Sequence, residues 1–175
     1  ANPELVARWK PRLGAPGLRV GLVWGGNPRH ENDPARSLPG LATLAPLWSV
    51  PDIRFVSLQK GEGENEALDS LPDRPLLHLG TDIADFADTA AIVGQLDLVI
   101  SVDTSSAHLA AASGTATWVL LPKTGTDWRW LLDREDSPWY PGVARLFRQD
   151  SAGDWEGVVS RLVAALQEWR QDRSM

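Results

Sequence analysis

Six short apolar runs, most of them ended by a glycine, a proline or a polar cluster, alternate along this chain with segments of helical spacing. The first, over 18–24, stops at Gly25-Gly26, and the second covers 53–58. A third at 76–79 is opened by Pro75, which suits the start of an edge strand. Runs over 96–102 and 116–121 give a fourth and a fifth strand, and 144–147 a possible sixth. Between them, Leu41, Leu44, Leu47 and Trp48 mark a helix over 38–50, and 64–71 is a short one. Ile83, Phe86, Ala90 and Val93 mark another, and small residues continue as a helix over 107–113. The chain closes on its cleanest amphipathic segment, where Trp155, Val158, Val159, Leu162, Val163, Leu166 and Trp169 recur at helical steps behind an Asp154 N-cap. Strands apolar throughout and separated by helices predict an α/β fold, a doubly wound parallel sheet of five or six strands covered on both faces.

In such a sheet, ligands bind beyond the carboxyl ends of the strands. The polar residues that look out of place follow strands one, two, four and five. They are Gly25-Gly26-Asn27-Pro28-Arg29, Gln59-Lys60-Gly61-Glu62, the stretch 103–106 and the stretch 123–129. A single composite cleft along one sheet edge accounts for all four.

The stretch with the most chemistry is the one after the fourth strand. Asp103 and Thr104 end it, Ser105 and Ser106 follow, and a helix starts at once. Strand, hydroxyl-rich turn and helix N-terminus together form an anion site, because free amides and the helix dipole both favour negative charge. Thr104 and His108 fall on one helical face. Asp103-Thr104 as a plain helix cap and His108 as a core histidine are the competing reading, but one cap needs fewer donors than this cluster holds. Arg36 and Lys60 read either as ordinary surface charges or, at this edge, as phosphate ligands. Gly25-Gly26-Asn27 lacks the third glycine of a dinucleotide fingerprint and reads as a turn needing positive φ. In the loop 122–142, Asp127-Trp-Arg-Trp130 and Pro138-Trp-Tyr-Pro141 read either as a loop packed by its own aromatics, the preferred reading for Trp130 and Trp139, or as offering a ring to stack on a base or sugar, with Trp128 fitting either.

Composition narrows the classes. A chain of 175 residues fits one domain over 18–175, preceded by a Pro-punctuated linker over 1–17. A net charge of −6 argues against a nucleic-acid partner. The chain has no cysteine, so thiolate metal sites are excluded and a cytoplasmic location is favoured. His30, His78 and His108 lack metal-ligand spacing, so no metal is expected. No P-loop, no Gly-x-Ser-x-Gly elbow, no signal peptide and no membrane-length apolar run occurs.

Ser101-Val-Asp-Thr-Ser-Ser-Ala-His-Leu-Ala-Ala-Ala-Ser-Gly114 followed by Val119-Leu-Leu-Pro122 resembles the carboxy-terminal half of family 9 glycosyltransferases, the heptosyltransferase family. Arg36-Ser-Leu-Pro39 looks like the family's basic residue followed by an apolar residue and proline. Val56-Ser-Leu-Gln-Lys-Gly61 and the two tryptophan motifs are closer to glycosyltransferase domains fused to tetratricopeptide repeats in bacteria. The likeness covers about 18–170. It implies one Rossmann-like half of a GT-B, metal-independent glycosyltransferase that binds a nucleotide diphosphate sugar and needs no further cofactor. By position, Thr104, Ser105, Ser106 and His108 would contact the diphosphate, and Asp103 would hold the turn or the sugar. Arg36 would offset charge on the leaving group, and Gln59 and Lys60 would line the donor pocket with Gly26 and Asn27. The family's catalytic base lies in the amino-terminal half, so that half, or a tetratricopeptide-repeat domain, is the expected partner in the same protein. Ser105 and Ser106 stand where the family has Gly-Leu. A non-catalytic nucleotide-binding or scaffold module of a repeat protein is the second reading, and a nucleotide-sugar epimerase the third.

Overall fold

The computed structural model describes residues 1–68 and 72–173. Its centre is a six-stranded sheet in the order β3-β2-β1-β4-β5-β6, every pairing parallel. The strands are β1 (Leu18–Val23), β2 (Ile53–Ser57), β3 (Leu76–His78), β4 (Leu98–Val102), β5 (Thr117–Leu121) and β6 (Ala144–Arg148). The α-helices are α1 (Pro3–Trp9), α2 (Asp33–Arg36), α3 (Glu64–Leu68), α4 (Phe86–Val93), α5 (Ser105–Ala112) and α6 (Trp155–Asp172). The chain builds outward from β1 to β3, then returns to the centre at β4 and builds the other way. This is the doubly wound, Rossmann-like arrangement, and the loops leaving β1 and β4 part at the switch point to open a crevice.

The central strands β4 and β5 are buried along their whole length because helices cover both faces of the sheet. Along β4, Leu98, Ile100 and Val102 join Leu44, Leu47, Val158 and Leu162 in one core. Val99, on the opposite face, joins Trp9, Leu79 and Ile92 in a second. Val119 and Leu121 of β5 pack with Ala107 of α5 and with Trp130.

Two elements differ from the sequence expectation, and a third is described only in part. The segment 38–50 is a 3-10 helix over Leu41–Ser49 with Pro46 inside it. Proline lacks the amide that an α-helical ladder needs there, yet Leu44 and Leu47 still reach the core. The helix predicted from Ile83 starts at Phe86, because the Asp85 carboxylate accepts from the Ala87 and Asp88 amides at 2.9 and 3.0 Å. The helix predicted over 64–71 is present over Glu64–Leu68, and 69–71 lie outside the described residues.

The segment 1–17, read from its prolines as a linker, is folded over most of its length. Pro3 and Pro11 each stand in the first turn of a helix, α1 and a 3-10 helix at Lys10–Leu13, where a missing amide costs nothing. Trp9 and Leu13 are fully buried. Trp9 Nε1 and Arg8 Nη2 both donate to Asp88 Oδ1, at 2.9 and 2.6 Å, while Asp88 Oδ2 accepts the Ala84 amide at 3.0 Å. Burial pushes the Asp88 carboxyl up, but the donors from Trp9, Ala84 and Arg8 outweigh it and hold it below its usual range. The amino-terminal segment is therefore locked to the start of α4.

Candidate functional site

All four loops singled out in the sequence leave the same edge of the sheet, since every strand runs parallel. The loop after β1 turns back through α2, and a chain of polar contacts fixes it. The Gly26 amide donates to Ser37 Oγ at 2.9 Å, and Ser37 Oγ donates to Asp33 Oδ1 at 3.0 Å. Arg36 Nε donates to the same carboxylate oxygen at 3.1 Å, and Arg36 Nη1 donates to the Asp103 carbonyl at 3.1 Å. Arg36 thereby spans the crevice between the β1 and β4 loops. Gly26 has no positive φ, so the turn is not why glycine is needed. A Cβ there would lie 2.5 Å from Asp33 Oδ1 and 2.8 Å from Arg36 Nη2, so close approach is the reason.

Gln59 lies buried between two loops. Its Oε1 accepts the Trp24 and Gly25 amides, both at 3.0 Å, and its Nε2 donates to the carbonyls of Gly25 and Glu62 at 3.2 and 2.7 Å. Its hydrogen-bonding groups are thus engaged within the chain, and it acts as a brace for the cleft wall. Lys60 is exposed beside it, its Nζ 3.4 Å from the Gly80 carbonyl.

Across the crevice, Thr104 is the N-cap residue of α5 but does not cap it with its side chain. Its hydroxyl pairs instead with Ser101 Oγ at 3.1 Å. The Ala107 and His108 amides reach the Thr104 carbonyl, which leaves the first amides of the helix, those of Ser105 and Ser106, facing outward as helix geometry dictates. His108 Nδ1 lies 2.9 Å from the Tyr140 hydroxyl, and its ring stacks on Trp130 at 4.8 Å and 17°. Its Nε2 is 3.7 Å from Asp103 Oδ1. Burial pushes the imidazole below its ordinary pKa; Asp103 and Asp127 pull it back up, and Arg129 adds to the lowering.

These residues border two adjoining cavities. The larger, about 540 Å³, has Gly26, Asn27, Arg36, Gln59 and Lys60 on one side and Thr104, Ser105 and Ser106 on the other. The smaller, about 250 Å³, holds Asp103 and His108 and shares Arg36, Thr104 and Ser105 with the first. Trp128 lines neither: it lies 62% exposed on the 122–142 loop, its ring edge-on to Trp139 at 5.2 Å. Trp130 is buried as read from the sequence, whereas Trp139 is half-exposed. Lys123 follows β5 at the same edge but lines neither cavity.

The sequence reading missed one wall of the larger cavity, made by Ile83, Ala84, Asp85, Phe86 and Thr89. A usable signal was present, since Asp85 is a capping residue and Phe86 sits exposed in the first turn of α4. His30 and Asn32 in the smaller cavity, and Tyr140 behind His108, were likewise not singled out. Among the described residues no group of three or more His, Cys, Asp or Glu side chains is placed to hold a metal ion, and no helix is long and apolar enough to cross a membrane.

No family model matches the chain. Protein FlbA of Caulobacter vibrioides is 34% identical over 174 residues, an alignment covering 96% of this chain and 28% of that protein. A solved structure of E. coli ADP-heptose LPS heptosyltransferase II matches with a TM-score of 0.72 at 13% identity, over 100% of this chain and 54% of that one. The chain thus spans less than a third of the one relative and about half of the other. At this identity the structural likeness establishes the fold: a Rossmann-like α/β domain of the kind that forms one half of a GT-B glycosyltransferase.

Proposed function

We propose that this domain is the donor-binding half of a glycosyltransferase, holding a nucleotide diphosphate sugar while the sugar passes to an acceptor hydroxyl. One observation carries the reading. Arg36 is fixed by Asp33 and the Asp103 carbonyl so that its guanidinium borders the same cavity as the amino end of α5. A guanidinium, two outward amides and a positive dipole end on one spot suit a phosphate. The cavity, about 540 Å³, is of the size that takes a small organic ligand. Its apolar wall at Ile83 and Phe86 suits a nucleoside, and the smaller cavity with Asp103 and His108 suits the sugar.

When the glycosidic bond breaks, negative charge collects on the leaving diphosphate. Arg36 and the α5 amides are already in place to meet it, which is electrostatic stabilisation without a metal. Gln59 and Gly26 serve by keeping that geometry. The general base would come from the rest of a longer protein. Calorimetry with UDP, ADP and GDP tests the reading. At least one should bind, and Arg36→Ala should weaken it roughly tenfold or more, the worth of a charge-assisted contact. Absence of binding by any of them at millimolar concentration would turn the account toward a module that keeps the fold without turnover.

A further inference from the structure

Of the residues expected from the sequence to contact the donor, Trp128 alone lines neither donor cavity, and it borders a hollow of its own. This third hollow, about 600 Å³, is floored by Trp128, Leu131 and Leu132 and edged by Asp127, Asp133 and Arg134. We propose that it is a saccharide-binding subsite, stacking one pyranose ring on Trp128; its use as the seat of the acceptor sugar rests on the donor reading above.

Three features point to a sugar. The first is the indole itself. Arg129 lies 4.9 Å from the Trp128 ring centroid and Trp139 stands perpendicular to it at 5.2 Å, so the ring is held in place and is still 62% exposed. The second is the rim. A pyranose has an apolar C–H face and a hydroxyl edge, and apolar lining with a few placed polar groups is what such a ring needs. An apolar protein partner pressed onto the same floor would have to strip water from Asp133 and Arg134, a cost that a ring with hydroxyls avoids. The third is position. Thr126 and Asp127 line both this hollow and the 250 Å³ cavity assigned to the donor sugar, so a ring on Trp128 would be the donor sugar's neighbour.

The loop is also built to stay in place. The Asp127 carboxylate accepts from the Arg129 amide at 2.9 Å and from Arg129 Nη1 at 2.9 and 2.8 Å. Arg148 Nη1 donates to Thr126 Oγ1 at 3.1 Å, and its Nη2 donates to the Leu131 carbonyl. Leu131 has φ of 53°, a left-handed conformation that a branched residue keeps only where its surroundings enforce it. A preorganised platform loses little freedom on binding.

The test uses the chain's nine tryptophan indoles as reporters in a nitrogen–proton NMR spectrum, with Trp128→Phe and Trp128→Ala identifying the Trp128 signal. Methyl glycosides of the gluco, galacto, manno and N-acetylated series are added at tens of millimolar. The Trp128 indole should shift saturably with at least one of them while the buried Trp9 and Trp130 indoles stay still. Read at the neighbouring Trp139 indole, Trp128→Phe keeps a flat ring and should retain binding, and Trp128→Ala should abolish it. UDP, ADP or GDP binding should be the same in all three proteins, so failure here and failure of the donor reading are told apart. No response to any glycoside overturns the proposal. So does a response that persists in Trp128→Ala, and so does a Trp128 signal that moves only with protein concentration, which would mean a second copy covers the patch.

Discussion

Replacing Gly26 by alanine adds one methyl group at the point where the β1 loop, Asp33 and Arg36 meet. That methyl carbon would stand 2.5 Å from Asp33 Oδ1 and 2.8 Å from Arg36 Nη2, both well inside contact distance. Asp33 and Arg36 must separate from the loop to admit it, and with them goes the bond from Arg36 to the Asp103 carbonyl. Both atoms end flexible side chains that can swing aside, so the domain itself should lose little stability. Binding suffers more, because Arg36 no longer holds its place beside the α5 amides. Losing a charge-assisted contact of about 1.5–3 kcal/mol corresponds to a roughly ten- to hundredfold weaker nucleoside diphosphate affinity. Calorimetry on Gly26→Ala, with a thermal unfolding curve to show that the domain is intact, measures both quantities. A variant that binds as tightly as the parent would refute the close-approach argument and, with it, the placing of Arg36.

Two more outcomes follow from the same geometry. Trp9→Ala should destabilise the domain by about 3–5 kcal/mol in urea unfolding, because it empties a core position and removes a donor from Asp88; a loss near zero would restore the linker reading of 1–17. Burial holds the His108 pKa below the ordinary 6.5, so as pH falls through that value the unfolded chain takes up a proton that the folded chain resists. Stability is then full above pH 6.5 and declines as pH falls toward the folded value, and His108→Gln should flatten that part of the curve in unfolding measurements between neutral and mildly acidic pH. An unchanged slope would show that His108 does not titrate as its burial requires.

The sheet was legible because the central strands β4 and β5 bury both faces and the strands are bounded by polar or Gly/Pro punctuation, a pattern that periodicity reads directly. The grouping of these loops was legible where polar residues follow a strand, as with Arg36, Lys60 and Thr104 to Ser106, since topology alone sends them to one edge. The failures have physical causes. Pro3 and Pro11 punctuate a linker and start a helix equally well, and only the burial of Trp9 and Leu13 decides between the two. Gln59, expected to line the donor pocket, does line the larger cavity, but what the sequence did not show is that its carboxamide is bonded within the chain. The Phe86 wall was missed because it follows β3, the weakest of the strand signals. Trp128 was drawn into the donor site by its chemistry, but the long loop carries it past, and loop geometry is not encoded in periodicity.

The central claim is that the amino end of α5, together with Arg36, is an anion site for a nucleotide's phosphates. The direct measurement is to follow the backbone amides by NMR while UDP, ADP or GDP is added. The largest shifts should fall on Ser105 and Ser106 and on the Arg36 side-chain Nε–H, with smaller ones at Gly26 and Phe86 as the rest of the nucleotide settles in the larger cavity. A spectrum in which those amides stay still, or in which the changes gather elsewhere on the molecule, would contradict the account.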